Sequence, residues 1–226
     1  MDVSNFDWGN SNEFYRSVIG EEIFKERIYE KLSPIKSGDI IFDAGASIGI
    51  FGYSVLDKNP SKIYCVEPSA DQMETLKKNI PENIGVYLNH GISDVDGEVI
   101  LNDVYEYAET SSSKSFKVSK FKTILEDNNI ERIDFLKTDS EGAEYDIFNI
   151  ENLVWLKQNM GRSAGEWHLF NPELKKKFRE FRDVYLRVFP NHEIFSTDGF
   201  NIKWDLWNDH FIDYYTEVII YIDNTK

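Results

Sequence analysis

Apolar positions along the chain switch repeatedly between helical spacing and short continuous runs, which predicts helices alternating with buried strands. Over residues 13–32, Phe14, Val18, Ile23, Phe24, Ile28 and Leu32 recur at helical intervals, and Gly20 is expected to break the segment in two. Ser37-Gly38-Asp39 is a turn signal ahead of an apolar strand at 40–42. A glycine-bearing loop follows, then a helix starting over 50–56. The same rhythm predicts strands at 63–66 and 85–88, separated by a helix over 69–79 with Ser69 or Asp71 as its N-cap. A turn at 94–97 leads into a short extra strand at 98–101, and the polar, serine-rich stretch 105–115 reads as a loop. Further on, a helix is expected over 121–128 and a strand over 133–136. An acidic cluster at 139–144 then opens a helix to about residue 150. The remaining chain reads as a strand at 162–169, an amphipathic helix at 174–189, and closing strands at 192–195 and 216–222 with 200–206 between them.

Strands alternating with helices predict a doubly wound, mostly parallel α/β sheet covered on both faces. In such sheets ligands bind beyond the carboxyl ends of the strands. The polar motifs of this chain fall at those ends.

Length and composition narrow the picture. The 226 residues suit one large domain, divided here into an N-terminal helical segment, 1–36, that could act as a lid, and a ligand-binding domain, 37–226. A 41% hydrophobic fraction predicts a folded chain, and a 15% aromatic fraction supplies core and pocket walls alike. The net charge of −15 disfavours nucleic acid and, more weakly, an anionic membrane surface. Lys175-Lys176-Lys177 is the one dense basic run and reads as a solvated helix face. The lone Cys65 lies in an apolar strand and reads as a structural thiol. Neither a leader-like start nor a membrane-length apolar run is visible, so a cytoplasmic location is expected.

The loop Asp43-Ala44-Gly45-Ala46-Ser47-Ile48-Gly49 carries the first chemical signal. Gly45 permits a tight turn and close approach by a ligand, Gly49 lets the next helix pack near the strand, and the helix start offers free N–H groups. Glu67 follows 22 residues after Gly45, just past the second strand, where a carboxylate can accept both ribose hydroxyls of an adenosine. Dinucleotide sites favour a second glycine where Ser47 stands, to make room for pyrophosphate. Asp43 ahead of Gly45 suits the ammonium of an amino-acid tail. The residues therefore favour S-adenosylmethionine over NAD.

The octet Lys137-Thr138-Asp139-Ser140-Glu141-Gly142-Ala143-Glu144 follows the strand at 133–136 and points into the same crevice; any one of its acids is as readily a helix-start acid. With the segments 39–49, Val66-Glu67-Pro68 and Gly91-Ile92-Ser93-Asp94-Val95-Asp96-Gly97-Glu98, the stretch 133–144 resembles the successive signatures of FkbM-type methyltransferases, in the family's order. The resemblance spans about residues 22–170 and leaves the chain before Glu21 and beyond Leu174 unmatched. It departs at Ser47, where Asn is common. It implies a Rossmann-like, class I methyltransferase fold with seven strands, the last antiparallel and inserted as a hairpin. It also implies S-adenosylmethionine as cofactor, S-adenosylhomocysteine as product, and O-methylation of a hydroxyl on a sugar, glycan or small natural product.

In-line methyl transfer asks chiefly for alignment, and a hydroxyl acceptor benefits from a general base. The catalytic candidates are Asp139, Glu141, Glu166 and His168, with His168 or Asp139 as base and Glu166 as acceptor or cofactor contact. Glu166 and His168 share a strand face by period two, and against their functional reading stands a simple hydrogen-bonded pair. The same groups could join Asp139 at a divalent metal, although no tight ligand spacing marks one and no metal ligands are assigned. The cofactor candidates are Asp43, Gly45, Ala46, Ser47, Gly49, Glu67, Pro68, His90, Gly91, Ile92 and Asp139. Among them, His90 and Ile92 would flank the adenine, and a structural histidine is an equal reading of His90. Phe6, Trp8, Phe14, Tyr15 and the 105–115 loop are candidate lid elements. Three rivals are an NAD-linked oxidoreductase, a non-catalytic module on the same fold, and a nucleic-acid methyltransferase. The octet argues against the first, the intact acids against the second, and the charge against the third.

Overall fold

A computed structural model of the chain describes residues 3–101 and 114–226. Its strands are β1 (Ile40–Ala44), β2 (Lys62–Val66), β3 (Gly85–Leu88), β4 (Gly91–Ile92), β5 (Gly97–Leu101), β6 (Lys114–Ser119), β7 (Ile133–Thr138), β8 (Met160–His168), β9 (His192–Phe195) and β10 (Glu217–Asp223). Seven form one sheet in the order β3-β2-β1-β7-β8-β10-β9. β1 is parallel to β2 and β7, and β7 is parallel to β8. β10 runs antiparallel between β8 and β9, as the resemblance implied. The fold is thus the expected Rossmann-like α/β sheet, with its order reversing beside β1.

The helices are α1 (Glu13–Gly20), α2 (Ile50–Ser54), α3 (Ala70–Asn79), α4 (Phe121–Asp127), α5 (Glu144–Ile147), α6 (Leu153–Asn159), α7 (Pro172–Glu180) and α8 (Asp209–Ile212). Strand alternation divides the core between the two sheet faces. Phe42, Tyr64, Leu136 and Trp167 pack on the face carrying α4 and α7. Ile41, Ile63, Phe135 and Ile219 pack on the other, together with Phe6, Ile23, Tyr29 and Ile35 of the N-terminal segment. Cys65 is a buried, free thiol in that second core.

Several boundaries moved for identifiable reasons. The N-terminal helical segment breaks at Arg27, which is left-handed with φ 52°, whereas Gly20 keeps a helical φ of −64°. Position 20 packs against the Trp8 ring, so its glycine serves a close contact. Ser69 caps α3 by accepting the Gln72 N–H. The long C-terminal helix starts at Pro172, with Asn171 accepting the Leu174 N–H at 2.9 Å, and continues through π and then 3₁₀ turns to Val188. β6 was unforeseen: Lys114 and Ser115, expected in a loop, pair with β5 in a small sheet ordered β4-β6-β5. The rest of that expected loop, 105–113, lies outside the described residues. Among the described residues no helix is long and apolar enough to cross a membrane.

Candidate active site

The loop after β1 has the backbone of a ligand cradle. Gly45 is left-handed with φ 77°, and a Cβ there would stand 1.7 Å from the Asp139 carbonyl oxygen. The N–H groups of Gly45 and Ala46 both donate to the Val66 carbonyl, at 3.1 and 3.0 Å. Ser47 is also left-handed, with φ 48°, a region that non-glycine residues other than Asn and Asp rarely enter. That explains why Asn is at home at this position. Gly49 has φ 83° and lets α2 approach Leu76 and Ile80 of the α3 end. α2 itself is little more than one turn, so the expected dipole at its start is weak. The loop amides instead brace it against Val66 and Glu67.

Glu67 closes this cradle. Its Oε2 accepts the Ser47 N–H at 3.0 Å and its Oε1 the Ser69 N–H at 2.7 Å. Burial pushes its carboxyl up to about 7, against the pull of those two amides. Asn89, which sequence reasoning missed, donates to the Glu67 and Pro68 carbonyls at 2.9 and 3.1 Å and ties the loops after β2 and β3 together. Gly91 lies against Pro68 and Val118. Ile92 is buried in the core, and His90 Nδ1 is 3.4 Å from Ser119 Oγ. Burial lowers the His90 pKa, and its buried Nε2 has no protein partner.

The second centre is Lys137, present in the octet but not singled out by its sequence. β1 and β7 place it opposite Asp43. Its Nζ donates to the Gly45 carbonyl at 2.7 Å and is 3.2 Å from Asp43 Oδ1 and 3.5 Å from Asp139 Oδ2. Burial works against its charge, but Asp43 and then Asp139 outweigh it and raise its pKa. Asp43 is fully buried, and burial raises its carboxyl despite Lys137. Expected to meet a ligand ammonium, Asp43 already has its cation in Lys137. Tyr29, also unforeseen, donates its hydroxyl to Asp139 Oδ2 at 3.0 Å.

Around the end of β8 the acids of the octet meet His168. The turn that delivers them is left-handed at Glu141, φ 55°, and at Gly142, φ 108°. Glu144, fully buried at the start of α5, accepts from Ser140 N and Oγ at 2.7 and 3.0 Å and contacts His168 Nδ1 at 3.2 Å, all through Oε1. His168 Nε2 faces Glu141 Oε2 at 3.5 Å and Asp139 Oδ1 at 4.0 Å. Burial disfavours an imidazolium here. The hydrogen bond and charge of Glu144, followed by Asp139 and Glu141, outweigh it and raise His168 to about 10. An imidazole held this way already carries its proton at neutral pH. Glu166 is raised by burial, then by Asp139 and by Glu217 of β10, a carboxylate that sequence reasoning also missed.

One cleft joins these parts. Gly45, Ala46, Ser47, Lys137, Asp139 and Glu166 line a partly open cleft. Its other wall is the N-terminal segment, through Tyr15, Ile19, Glu22, Ile23 and Tyr29. Of the four aromatic lid candidates only Tyr15 lines it. Phe6 and Trp8 pack edge-to-face with Phe24, while Phe14 is 70% exposed. The residues present fit S-adenosylmethionine: Glu67 is a buried carboxylate at the end of β2, available to hydroxyl donors beside the Gly45 loop.

Among solved structures, the chain is similar to a TehB-like SAM-dependent methyltransferase from Corynebacterium glutamicum, at 16% identity and a TM-score of 0.45 over 93% of each chain. It is also similar to a precorrin 8w decarboxylase from Methanobacterium thermoautotrophicum, at 12% identity and a TM-score of 0.45 over 95% of this chain and 91% of that one. A third, provisionally described as an RNA methyltransferase from Pyrococcus horikoshii, has 12% identity and a TM-score of 0.46 over 98% and 94%. No protein of curated function matches. Residues 43–189, which contain the cradle, Glu67, the whole octet and both β8 candidates, match the Methyltransferase FkbM domain, and the chain belongs to that family.

Proposed function

We propose that this methyltransferase acts on a hydroxyl oxygen of a small-molecule or glycan acceptor, in the cytoplasm, with no nucleic-acid or membrane partner. The observation that carries the reading is the shared cleft, in which the cofactor loop and the strand-end acids Asp139 and Glu166 face one space. S-adenosylmethionine, when bound, supplies an activated methyl group on a sulfonium. The chain's own work is alignment and proton handling. Glu67, fixed by the Ser47 and Ser69 amides, holds the nucleoside end, and Asp139, at the mouth of β7, accepts the acceptor's proton. Asp139 is preferred to His168 as base because His168 is already protonated, held so by Glu144 and its neighbours. His168 then offers positive charge beside Asp139 and Glu141. Glu166, with its raised pKa, is suited to donate a hydrogen bond to an acceptor oxygen. The charge of −15 supports a neutral or cationic acceptor over a polyanion.

The test is label transfer from methyl-tritiated S-adenosylmethionine to a panel of sugars, glycans and phenols, with RNA as a further arm. Transfer to a hydroxyl, lost in Asp139→Asn, is the expected result. Transfer to RNA alone, or full activity in Asp139→Asn, would overturn the reading.

A further inference from the structure

β8 and β10 bring three ligand-type side chains to one point beside the cleft. Glu166 and His168 are two residues apart on β8 and share a face. Glu217 is directly opposite His168 in the antiparallel register. One ligand atom from each of the three lies within 4.8 Å of the others. Ligand atoms around a single ion bound at about 2.0–2.2 Å are separated by roughly 3–4 Å, so a small closure suffices. The sheet therefore builds the triad without any distortion of its own.

The histidine is prepared for a further partner. Its Nδ1 is engaged by Glu144 Oε1, and Ser140 fixes that same oxygen through two hydrogen bonds. Nε2 is left facing the carboxylates of Asp139 and Glu141 at 4.0 and 3.5 Å, beyond good hydrogen-bonding distance, although the His168 side chain is 6% exposed. A buried carboxylate behind one ring nitrogen, with the other nitrogen directed at oxygen ligands, is the arrangement that orients metal-binding histidines. Carboxylates from four segments converge here: Glu22 from the N-terminal segment, Asp139 and Glu141 after β7, Glu166 on β8 and Glu217 on β10. Against them stand only His168 and, through Asp139, Lys137, among the described residues.

We propose that His168 Nε2, Glu166 and Glu217 bind a divalent transition-metal ion, with Asp139 beside it and Glu144 orienting His168 from behind. One imidazole with several carboxylates suits Mn²⁺ or Zn²⁺, and the entering ion displaces the protons that His168 and Glu166 hold in its absence. Glu166 and Asp139 also belong to the cleft wall, so the ion would face the acceptor. Its use there rests on the methyltransferase reading: a hydroxyl bound to the ion is fixed in place and more acidic.

The experiment uses the full chain stripped with a chelator and titrated with Mn²⁺, followed by electron paramagnetic resonance, and with Zn²⁺, followed by calorimetry. One site per chain is expected. His168→Gln and Glu217→Gln should each weaken it more than tenfold. Glu144→Gln, which touches no ion, should weaken it by about 10–100-fold through loss of the orienting bond. Circular dichroism identifies any variant that fails to fold. In that case the Co²⁺ complex of the unaltered chain decides, by the presence or absence of ligand-field bands at one equivalent. No binding of Mn²⁺, Zn²⁺ or Co²⁺, or binding unaffected by all three folded variants, overturns the proposal. Because binding is read without donor or acceptor, an ion-binding chain that transfers no methyl group would keep this site and sink the methyltransferase reading. Full transfer in chelator by a chain that binds no ion would do the reverse.

Discussion

Gly45 and Asp139, 94 residues apart, meet so closely that a Cβ at position 45 would stand 1.7 Å from the Asp139 carbonyl oxygen. The cofactor loop and the acidic octet are therefore one mechanical unit. Gly45→Ala must move the loop or the β7 end, and it must also hold φ near 77°, which costs an L-residue about 1–2 kcal/mol. The expected outcome is a loss of S-adenosylhomocysteine affinity of about tenfold or more, with circular dichroism unchanged. Calorimetry checks it, and wild-type affinity in Gly45→Ala would mean that the close contact does not shape the site.

Glu67 should give binding a pH dependence of predictable sign. Its folded-state pKa is raised to about 7 from the usual 4.5. In the ligand-free chain the stability from this group is present below about pH 4.5 and lost as pH rises through 7. Ribose hydroxyls need the ionised form as acceptor, so ligand binding pulls the other way. S-adenosylhomocysteine affinity should climb as pH rises through about 7, by up to about tenfold per unit on the acid side, and then level off. Glu67→Gln should bind more weakly with a flat profile. A flat profile in the unaltered chain would remove Glu67 from the binding equilibrium.

Those two residues were legible in the sequence because each answers a local demand. A glycine at a strand-to-helix loop and an acid after the next strand are marks that one segment carries by itself. Lys137, Glu217, Tyr29 and Asn89 were not legible as site residues, because their roles arise only from pairing. Lys137 matters because β1 and β7 set it opposite Asp43, and Glu217 because β10 runs antiparallel to β8. Tyr29 reaches Asp139 across 110 positions. Likewise the strands of the main sheet followed from their apolar runs, whereas β6, with the polar sequence Lys-Ser-Phe-Lys-Val-Ser, depends on β4 and β5 beside it. The break at Arg27 was hidden because nothing in an arginine announces a left-handed backbone.

Asp39 and Arg162 form a buried pair, with Nη2 2.6 Å from Oδ2, at the amino ends of β1 and β8. The Lys36 N–H also donates to that carboxylate, and the guanidinium donates to the Pro34 carbonyl as well and lies over the Phe135 ring. Asp39→Ala strands a buried cation, which typically costs about 3–5 kcal/mol. For a chain of this length, even the lower figure lowers Tm by about 6–12 °C. Asp39→Ala/Arg162→Met should lose less than Asp39→Ala, because no charge is left uncompensated. Thermal unfolding of the unaltered chain and the two variants checks this. S-adenosylhomocysteine affinity should hardly change, since the pair is at the opposite end of the strands from the cleft.

Tyr29 donates to Asp139 Oδ2 at 3.0 Å, and Lys137 Nζ is 3.5 Å from the same oxygen, so the carboxylate is held from two sides. Tyr29 is buried, and its ring has Lys137 Nζ over it at 5.6 Å. Tyr29→Phe keeps that packing and removes one hydrogen bond, worth about 1 kcal/mol, or roughly a fivefold fall in kcat if the bond serves alignment. Asp139→Asn removes the proposed base and should cost about 10²–10⁴ in kcat. Because Tyr29 acts through Asp139, the two effects should not add, and Tyr29→Phe/Asp139→Asn should be no slower than Asp139→Asn alone. Single-turnover rates with saturating S-adenosylmethionine measure all three. Additive losses would mean that Tyr29 touches the acceptor or donor directly, and the N-terminal segment would then be part of the binding surface as well as a support for Asp139.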